Sequence, residues 1–160
     1  MKVWQNLTWL LLALSASANS LELLPHRGHF SVPVKSYKEI VFGDVFRQQY
    51  DFSCGSAAVA SMLTYHYQTP AFEQEIFKSM YDKGDKEKIK EKGFSLLDMK
   101  VYLDSVGLHS DGFQIGIEKI REVGVPGITL VNFDGYMHFV VIRGMNTDSV
   151  ILGDPSRGTM

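Results

Sequence analysis

Residues 47–63 read RQQYDFSCGSAAVASML, and this stretch contains the only cysteine of the chain, Cys54. The residues after it favour helix formation, with Val59, Leu63 and Tyr67 at four-residue spacing. This spacing predicts a helix with one apolar face. The residues before the cysteine do not continue the pattern, so Cys54 is expected in the first helical turn.

The position of the thiol at the start of a helix indicates a reactive cysteine. A helix N-terminus carries about half a positive charge and free backbone N–H groups, and both stabilise a thiolate. Gly55 and Ser56 are small, and we expect them to leave the sulfur open to a substrate. Two other interpretations of an unpaired cysteine stay open at this point, a bridge to another chain and a buried, inert thiol.

The N-terminal residues have the layout of a secretory signal peptide. Lys2 precedes a short apolar run from Leu7 to Ala18, which ends in small residues. A membrane anchor is the alternative, but the run has about a dozen residues and a spanning helix needs about 20. We therefore expect a signal peptide over residues 1–18, cleaved after Ala18, and a periplasmic protein with no membrane span after cleavage.

Composition excludes other classes of function. Cleavage leaves about 140 residues, which is enough for one domain with its own core. The net charge is −2, and the sequence has no basic cluster of the kind that would indicate a nucleic-acid partner. The densest charge run, from Asp82 to Gly93, mixes both signs and predicts a solvated connector or helix face.

A thiol enzyme also needs a base, and the chain offers five histidines. His66 follows the cysteine by twelve residues on the predicted helix, which places it about 18 Å away. His26 and His29 lie near the new N-terminus without further ligand-spaced residues, so we interpret them as part of a solvated tail and not as a metal site. His109 follows a predicted turn. His138 is therefore the candidate base.

The surroundings of His138 predict two consecutive β-hairpins. Asp134-Gly135 and Asn146-Thr147-Asp148 are turn sequences. The predicted strands are Ile128–Asn132, Met137–Arg143 and Ser149–Gly153. If Asn146 is the centre of the second turn, His138 lies directly opposite Asp154, with Cβ atoms about 4.5–5.5 Å apart. This arrangement predicts an imidazole–carboxylate pair. The alternative is a histidine at the edge of the core with an aspartate nearby by chance.

Peptide hydrolysis further requires a hydrogen-bond donor for the oxyanion of the tetrahedral intermediate. Gln48 and Gln49 precede the cysteine, and either side-chain amide could act together with the backbone N–H of Cys54. The chemistry alone does not choose between the two glutamines.

Together these residues resemble the bacteriocin-processing, double-glycine cysteine peptidases. In that family a glutamine stands six residues before the cysteine, the histidine begins a His-Phe-Val-Val strand and the aspartate precedes a proline. Gln48, Cys54, His138 and Asp154 occupy these positions, from about Val41 to the end of the chain. The resemblance implies catalytic roles for all four residues and a papain-like α+β fold.

The implied fold has a helical lobe with the cysteine helix, packed on an antiparallel sheet that carries the histidine and the aspartate. Further helices are expected near Pro70–Tyr81 and Leu96–Val106, and Ser95–Asp98 is a capping box for the second. We expect the peptidase domain over residues 41–160, after an N-terminal extension over residues 19–40.

Three features depart from the family. Many members have aspartate immediately before the cysteine, and this chain has Ser53. Most are domains of ATP-driven transporters, but this chain has no G-x-x-x-x-G-K-[ST] motif, so no ATP site is expected. It resembles instead the stand-alone exported members, some of which accompany functional-amyloid secretion systems. The chain stops six residues after Asp154, which suggests a domain truncated at its C-terminus.

The resemblance implies a periplasmic cysteine endopeptidase that needs no metal or organic cofactor. Its expected partner is an exported polypeptide, bacteriocin-like or from an amyloid system, cut after a Gly-Gly or similar small-residue pair. Two alternatives remain. One is another thiol chemistry, such as cell-wall peptide hydrolysis or acyl transfer. The other is a non-catalytic module that binds a secretion substrate.

Overall fold

The structure is a computed structural model that describes residues 20–23 and 30–160. The predicted signal peptide, residues 1–18, and the two histidines His26 and His29 lie outside the described residues. In chain order the described helices are α1 (Tyr37–Val41), α2 (Cys54–Ser61), a π-helix (Met62–His66), α3 (Glu73–Lys83), α4 (Lys86–Lys92), α5 (Leu96–Ser105) and α6 (Ile117–Val123). The described strands are β1 (Ser20–Leu23), β2 (Phe30–Pro33), β3 (Gly127–Phe133), β4 (Tyr136–Met145), β5 (Val150–Asp154) and β6 (Gly158–Thr159).

The chain divides into two compact units, and the larger one spans Lys38–Met160. Strands β1 and β2 belong to the smaller unit and pair antiparallel, with Ser20 opposite Pro33. The sequence pattern did not predict this strand pair. No helix of the described residues is both long enough and apolar enough to cross a bilayer.

Helix α2 is the centre of the larger unit. It begins at Cys54, as predicted, and all eight of its residues are buried. The prediction of a single apolar face is therefore wrong, because α2 packs against α3, α5 and β4 together. Its small residues allow this close approach: a Cβ atom at Gly55 would lie 2.9 Å from Met99 Cε and 3.1 Å from Phe94 Cβ.

The other predicted helices are present with shifted ends. Helix α3 begins at Glu73, three residues after the predicted start. Helix α5 begins where predicted, and its capping box is complete: Ser95 accepts from the Asp98 backbone, and Asp98 accepts from the Ser95 backbone. The mixed-charge run forms the short helix α4, which buries only Ile89.

The sheet of the larger unit is an antiparallel meander in the order β3-β4-β5-β6. The first hairpin closes through Asp134 and Gly135, whose φ values of 51° and 93° are those of a tight two-residue turn. Strand β4 is the most buried strand of this four-stranded sheet, and its residues Phe139 and Val141 join the core of α2. This packing brings the sheet against the cysteine helix, as the α+β expectation requires.

Candidate active site

The nucleophile candidate Cys54 is the first residue of α2 and is 5% exposed. Gly55 and Ser56, which we expected to leave the sulfur open to a substrate, are themselves buried. The thiol therefore combines a helix N-terminus with a water-poor setting, in which electrostatic interactions are stronger than in bulk water.

Ser53 shapes the loop that precedes the cysteine. Its hydroxyl accepts from the backbone N–H groups of Gln49, at 3.1 Å, and Tyr50, at 3.0 Å, and it lies 3.0 Å from the Tyr50 carbonyl oxygen. Ser53 makes no side-chain cap on α2. This hydroxyl therefore orders the Gln48–Ser53 loop and leaves the N–H groups at the start of α2 to other partners.

Ser56 and Glu73 form a buried polar contact that is linked to this loop through the Ser53 carbonyl group. Ser56 Oγ is 2.8 Å from Glu73 Oε1 and 2.9 Å from the Ser53 carbonyl oxygen, and all three residues are buried. Burial raises the pKa of Glu73 above its usual value, and the hydrogen bonds from Ser56 and Ser53 oppose that rise. A hydroxyl has one proton for these two acceptors, so the network is best satisfied when Glu73 is protonated.

The structure brings His138 and Asp154 together. His138 Nε2 lies 2.7 Å from Asp154 Oδ1, and the two side chains are 1% and 0% exposed. They come from neighbouring strands of the second hairpin, β4 and β5. The predicted imidazole–carboxylate contact is therefore present.

The register that produces this contact differs from the prediction. The turn is centred between Thr147 and Asp148, since Asn146 N–H donates to the Ser149 carbonyl at 2.9 Å. Directly opposite pairs are Met145 with Val150 next to the turn and Val141 with Gly153 further along. His138 and Asp154 are not directly opposite, so that part of the prediction is wrong.

A β-bulge at Arg143 places the two side chains on one face. Near the turn Gly144 pairs with Ile151, but beyond the bulge Ile142 pairs with Leu152, so β4 carries one extra residue. Without that residue the register would align Asp154 with Val141, on the opposite face from His138. With it, the continued register aligns Asp154 with Val140. Asp154 is then a diagonal neighbour of His138 on the same face.

The Asp154 carboxylate is held by several donors. Besides His138, Oδ1 accepts from the Ser156 backbone N–H at 2.7 Å, the Ser156 hydroxyl at 2.8 Å and the Arg157 backbone N–H at 3.2 Å. Burial would raise the pKa of Asp154, but the hydrogen bonds from His138 and Ser156 outweigh it and lower the pKa to about 2. Asp154 is therefore ionised at neutral pH.

The pKa of His138 is shifted in the opposite direction, upward. Burial would lower its pKa, but the hydrogen bond to Asp154, the neighbouring Cys54 side chain and the negative charges of these two groups raise it to about 9. Nδ1 is buried and has no hydrogen-bond partner among the described residues. At neutral pH the site thus favours an imidazolium between a carboxylate on Nε2 and the thiol group of Cys54.

The two glutamines have different hydrogen-bond partners. Gln48 donates its backbone N–H to the Pro155 carbonyl at 2.9 Å, which ties it to the turn after Asp154. Its Nε2 donates to the carbonyls of Tyr50, at 3.0 Å, and Asp51, at 3.4 Å. Gln49 Nε2 donates only to the Arg47 carbonyl, at 3.3 Å, at an exposed position. Gln48 is therefore the glutamine that is tied to the histidine–aspartate side of the site.

The remaining described histidines are exposed and make other contacts. His66 packs edge-on against Tyr67, with ring centroids 4.8 Å apart. His109 Nε2 lies 3.2 Å from Asp111 Oδ2. No group of three His, Cys, Asp or Glu side chains that could hold a metal ion occurs among the described residues.

Tyr136 also belongs to the site, and sequence analysis missed it. Its ring stacks on that of His138, with centroids 5.7 Å apart and planes 26° from parallel. Its position two residues before His138 on one strand was the available signal, because alternate strand residues share a face.

This fold and this grouping of a thiol, an imidazole and a carboxylate define the class of papain-like, cysteine-type peptidases. The chain belongs to the peptidase C39 family, whose match covers residues 44–160.

Two relatives carry the name "Probable functional amyloid protease FapD". The protein from Pseudomonas aeruginosa is 37% identical over 147 residues, covering 92% of this chain and 65% of that protein. The protein from Pseudomonas fluorescens is 39% identical over 125 residues, covering 78% of this chain and 55% of that protein. The chain thus spans less than two thirds of the length of these relatives.

Two solved structures share the fold. The peptidase domain of Streptococcus ComA, a bi-functional ABC transporter, has a TM-score of 0.59 and 18% identity, covering 73% of this chain and 85% of that domain. A double glycine motif protease from an AMS/PCAT transporter, in complex with the leader peptide, has a TM-score of 0.58 and 21% identity, covering 72% and 76%. At these identities the likeness supports the papain-like α+β fold alone.

Proposed function

We propose that this chain is a cysteine endopeptidase in which Cys54 is the nucleophile, His138 the acid–base group, Asp154 its orienting group and Gln48 an oxyanion donor. One observation carries the proposal: the sole thiol begins a helix beside a buried imidazole whose other nitrogen is bonded to a buried carboxylate.

The reaction follows from the charges of this site. The Cys54 thiolate attacks the peptide carbonyl carbon and forms a C–S bond. The resulting oxyanion accepts hydrogen bonds from the Cys54 backbone N–H and from Gln48 Nε2–H. His138 imidazolium then gives a proton to the leaving amine as the C–N bond breaks. Neutral His138 next takes a proton from water as the water oxygen bonds to the thioester carbonyl carbon. The C–S bond then breaks, which releases the carboxylic acid product and restores the Cys54 thiolate and the His138 imidazolium.

The oxyanion role sets one requirement on Gln48. Its Nε2 now donates to the Tyr50 and Asp51 carbonyls, so one of these bonds must give way to the substrate oxygen. The 3.4 Å bond to Asp51 is the longer of the two and is the one we expect to be exchanged.

The proposed substrate is an exported polypeptide with a Gly-Gly or similar small-residue pair, cut after the second residue. The FapD name of the relatives and the double glycine motif protease of similar fold support this choice. We further propose export by a signal peptide over residues 1–18, action in the periplasm and a peptidase domain over residues 41–160.

The test is cleavage of a peptide that contains a Gly-Gly pair, followed by mass spectrometry. We expect one cut after the second glycine, loss of cleavage when both glycines are replaced by leucine, and loss of turnover in a folded Cys54→Ala variant. Full turnover by that variant would refute the thiol mechanism. Cleavage of cell-wall peptides but not of the Gly-Gly peptide would select the other thiol chemistry, and binding without turnover would select the binding module.

A further inference from the structure

Tyr136 connects the two halves of the site across 85 residues of chain. It begins strand β4, and its hydroxyl donates to the Asp51 carbonyl at 3.0 Å. Asp51 lies in the loop between Gln48 and Cys54, and its carbonyl also accepts from Gln48 Nε2. One side chain of the hairpin is therefore bonded to the loop that holds the proposed oxyanion donor.

The ring of Tyr136 stacks on the buried His138 and is itself half exposed to solvent. Tyr136 is 50% exposed, whereas His138, on which it stacks, is 1% exposed. Phe133 flanks the imidazole less closely, at 6.2 Å and 45°, with the Arg157 guanidinium 4.4 Å above its own ring. Of these two rings, Tyr136 is nearer and more nearly parallel to the imidazole.

We propose that Tyr136 is a positioning residue: its ring shields the His138–Asp154 hydrogen bond from water, and its hydroxyl fixes the loop from Gln48 to Cys54. The second role rests on the proposed peptidase function, whereas the shielding does not. A hydrogen bond in a dry setting is stronger than one in contact with water, so the shield holds the imidazole in one orientation.

Among the described residues, the titratable groups that face His138 are Asp154 from β5, Cys54 from α2 and Tyr136 itself. Burial, and then the negative charges of Cys54 and Asp51, raise the pKa of Tyr136, so its hydroxyl remains a donor. Removing the ring admits water, which weakens the attraction between the imidazolium and its two partners. Because that attraction outweighs the cost of burial, we expect the His138 titration to move towards its ordinary value of 6.5.

The direct test is the exchange of the His138 Nε2 proton with water, followed by proton NMR of protein with nitrogen-15-labelled histidine. In the wild-type protein we expect a slowly exchanging downfield signal. Tyr136→Ala should speed its exchange at least ten-fold, and Tyr136→Phe, which keeps the ring, should leave it unchanged. Tyr67→Ala is the matched control, since Tyr67 also packs against a histidine, His66, away from the site.

The hydroxyl is tested by turnover on the Gly-Gly peptide. Tyr136→Phe should lower kcat/KM about 2- to 10-fold, the usual effect of one hydrogen bond. The exchange measurement needs no turnover. An inactive wild-type chain with a protected proton would therefore refute the proposed peptidase function but support the shielding role of Tyr136.

Three results would overturn the inference. They are the absence of the protected signal in the wild-type protein, wild-type exchange in a folded Tyr136→Ala variant, and an unchanged kcat/KM in Tyr136→Phe of an active protein. If Tyr136→Ala does not fold, Tyr136→Leu replaces it, with intermediate exchange expected because the smaller side chain covers less of the imidazole. Wild-type exchange in that variant would equally refute the shield.

Discussion

Replacing Asp154 by asparagine tests the electrostatics of the site while preserving its shape. Oδ1 of Asp154 faces three hydrogen-bond donors besides His138: the backbone N–H and hydroxyl of Ser156 and the backbone N–H of Arg157. The asparagine carbonyl oxygen can satisfy these donors and its amide group cannot. We therefore expect Asp154→Asn to keep the acceptor for His138 and to lose only the charge.

The size of the effect follows from that charge. A nearby opposite charge shifts a pKa by about 1–3 units, and each unit corresponds to about 1.4 kcal/mol. Starting from about 9 in the wild-type protein, the pKa of His138 in Asp154→Asn should fall to between about 6 and 8. At pH 7 this lowers the imidazolium population by up to about ten-fold.

The assay is kcat/KM on the Gly-Gly peptide between pH 5 and 10. The wild-type profile should fall on its alkaline side near pH 9, where His138 loses its proton and can no longer protonate the leaving amine. The alkaline limb of Asp154→Asn should lie about 1–3 units lower. An identical alkaline limb in a folded Asp154→Asn variant would show that Asp154 does not hold the imidazolium, and the proposed triad would be wrong.

The same substitution has an expected pH-dependent effect on stability. The raised pKa of His138 contributes stability that is complete below pH 6.5 and is lost as the pH rises through about 9. The lowered pKa of Asp154 contributes stability that is present above pH 3.8 and is lost as the pH falls through about 2. Urea unfolding should therefore show the largest loss for Asp154→Asn near pH 5 and a smaller one above pH 9. An equal loss at both pH values would contradict the ionic origin of the stabilisation.

Gln48→Ala should lower turnover about 10²- to 10³-fold, the usual loss of one oxyanion donor, and barely change the alkylation of Cys54, whereas Gln49→Ala should be mild. If Gln49→Ala proves the crippling change, the family alignment is off by one residue. Glu73→Gln should raise the free energy of urea unfolding at pH 7, because the amide is always neutral, avoids the cost of protonating a buried carboxyl whose pKa is raised, and can still hydrogen-bond to Ser56; a strongly destabilised variant would mean that the ionised form is required. His66→Ala should leave turnover unchanged in the same peptide assay, since His66 is exposed and packs against its neighbour; a large loss would reopen the choice of base.

Local sequence patterns determined the elements that carry the site. The run of small residues after Cys54 predicts a helix that begins at the thiol, and α2 begins there. Ser95 and Asp98 predict a capping box, and it is present. The turn at Asp134-Gly135 and the flanking apolar residues predict the first hairpin. Such features depend on residues a few positions apart, so their physical causes are contained in short stretches of sequence.

The tertiary structure decided how these elements meet. The hairpin pattern correctly brought His138 and Asp154 together but assigned the wrong register, because the bulge at Arg143 has no clear signature in the strand pattern. Burial of α2 on all sides follows from packing against α3, α5 and β4, which its own residues do not specify. The bond from Tyr136 to the Asp51 carbonyl joins residues 85 positions apart, and only the packed chain brings them within reach. Sequence therefore fixed which groups are available for chemistry, whereas long-range packing fixed their register, their burial and the charges that they carry.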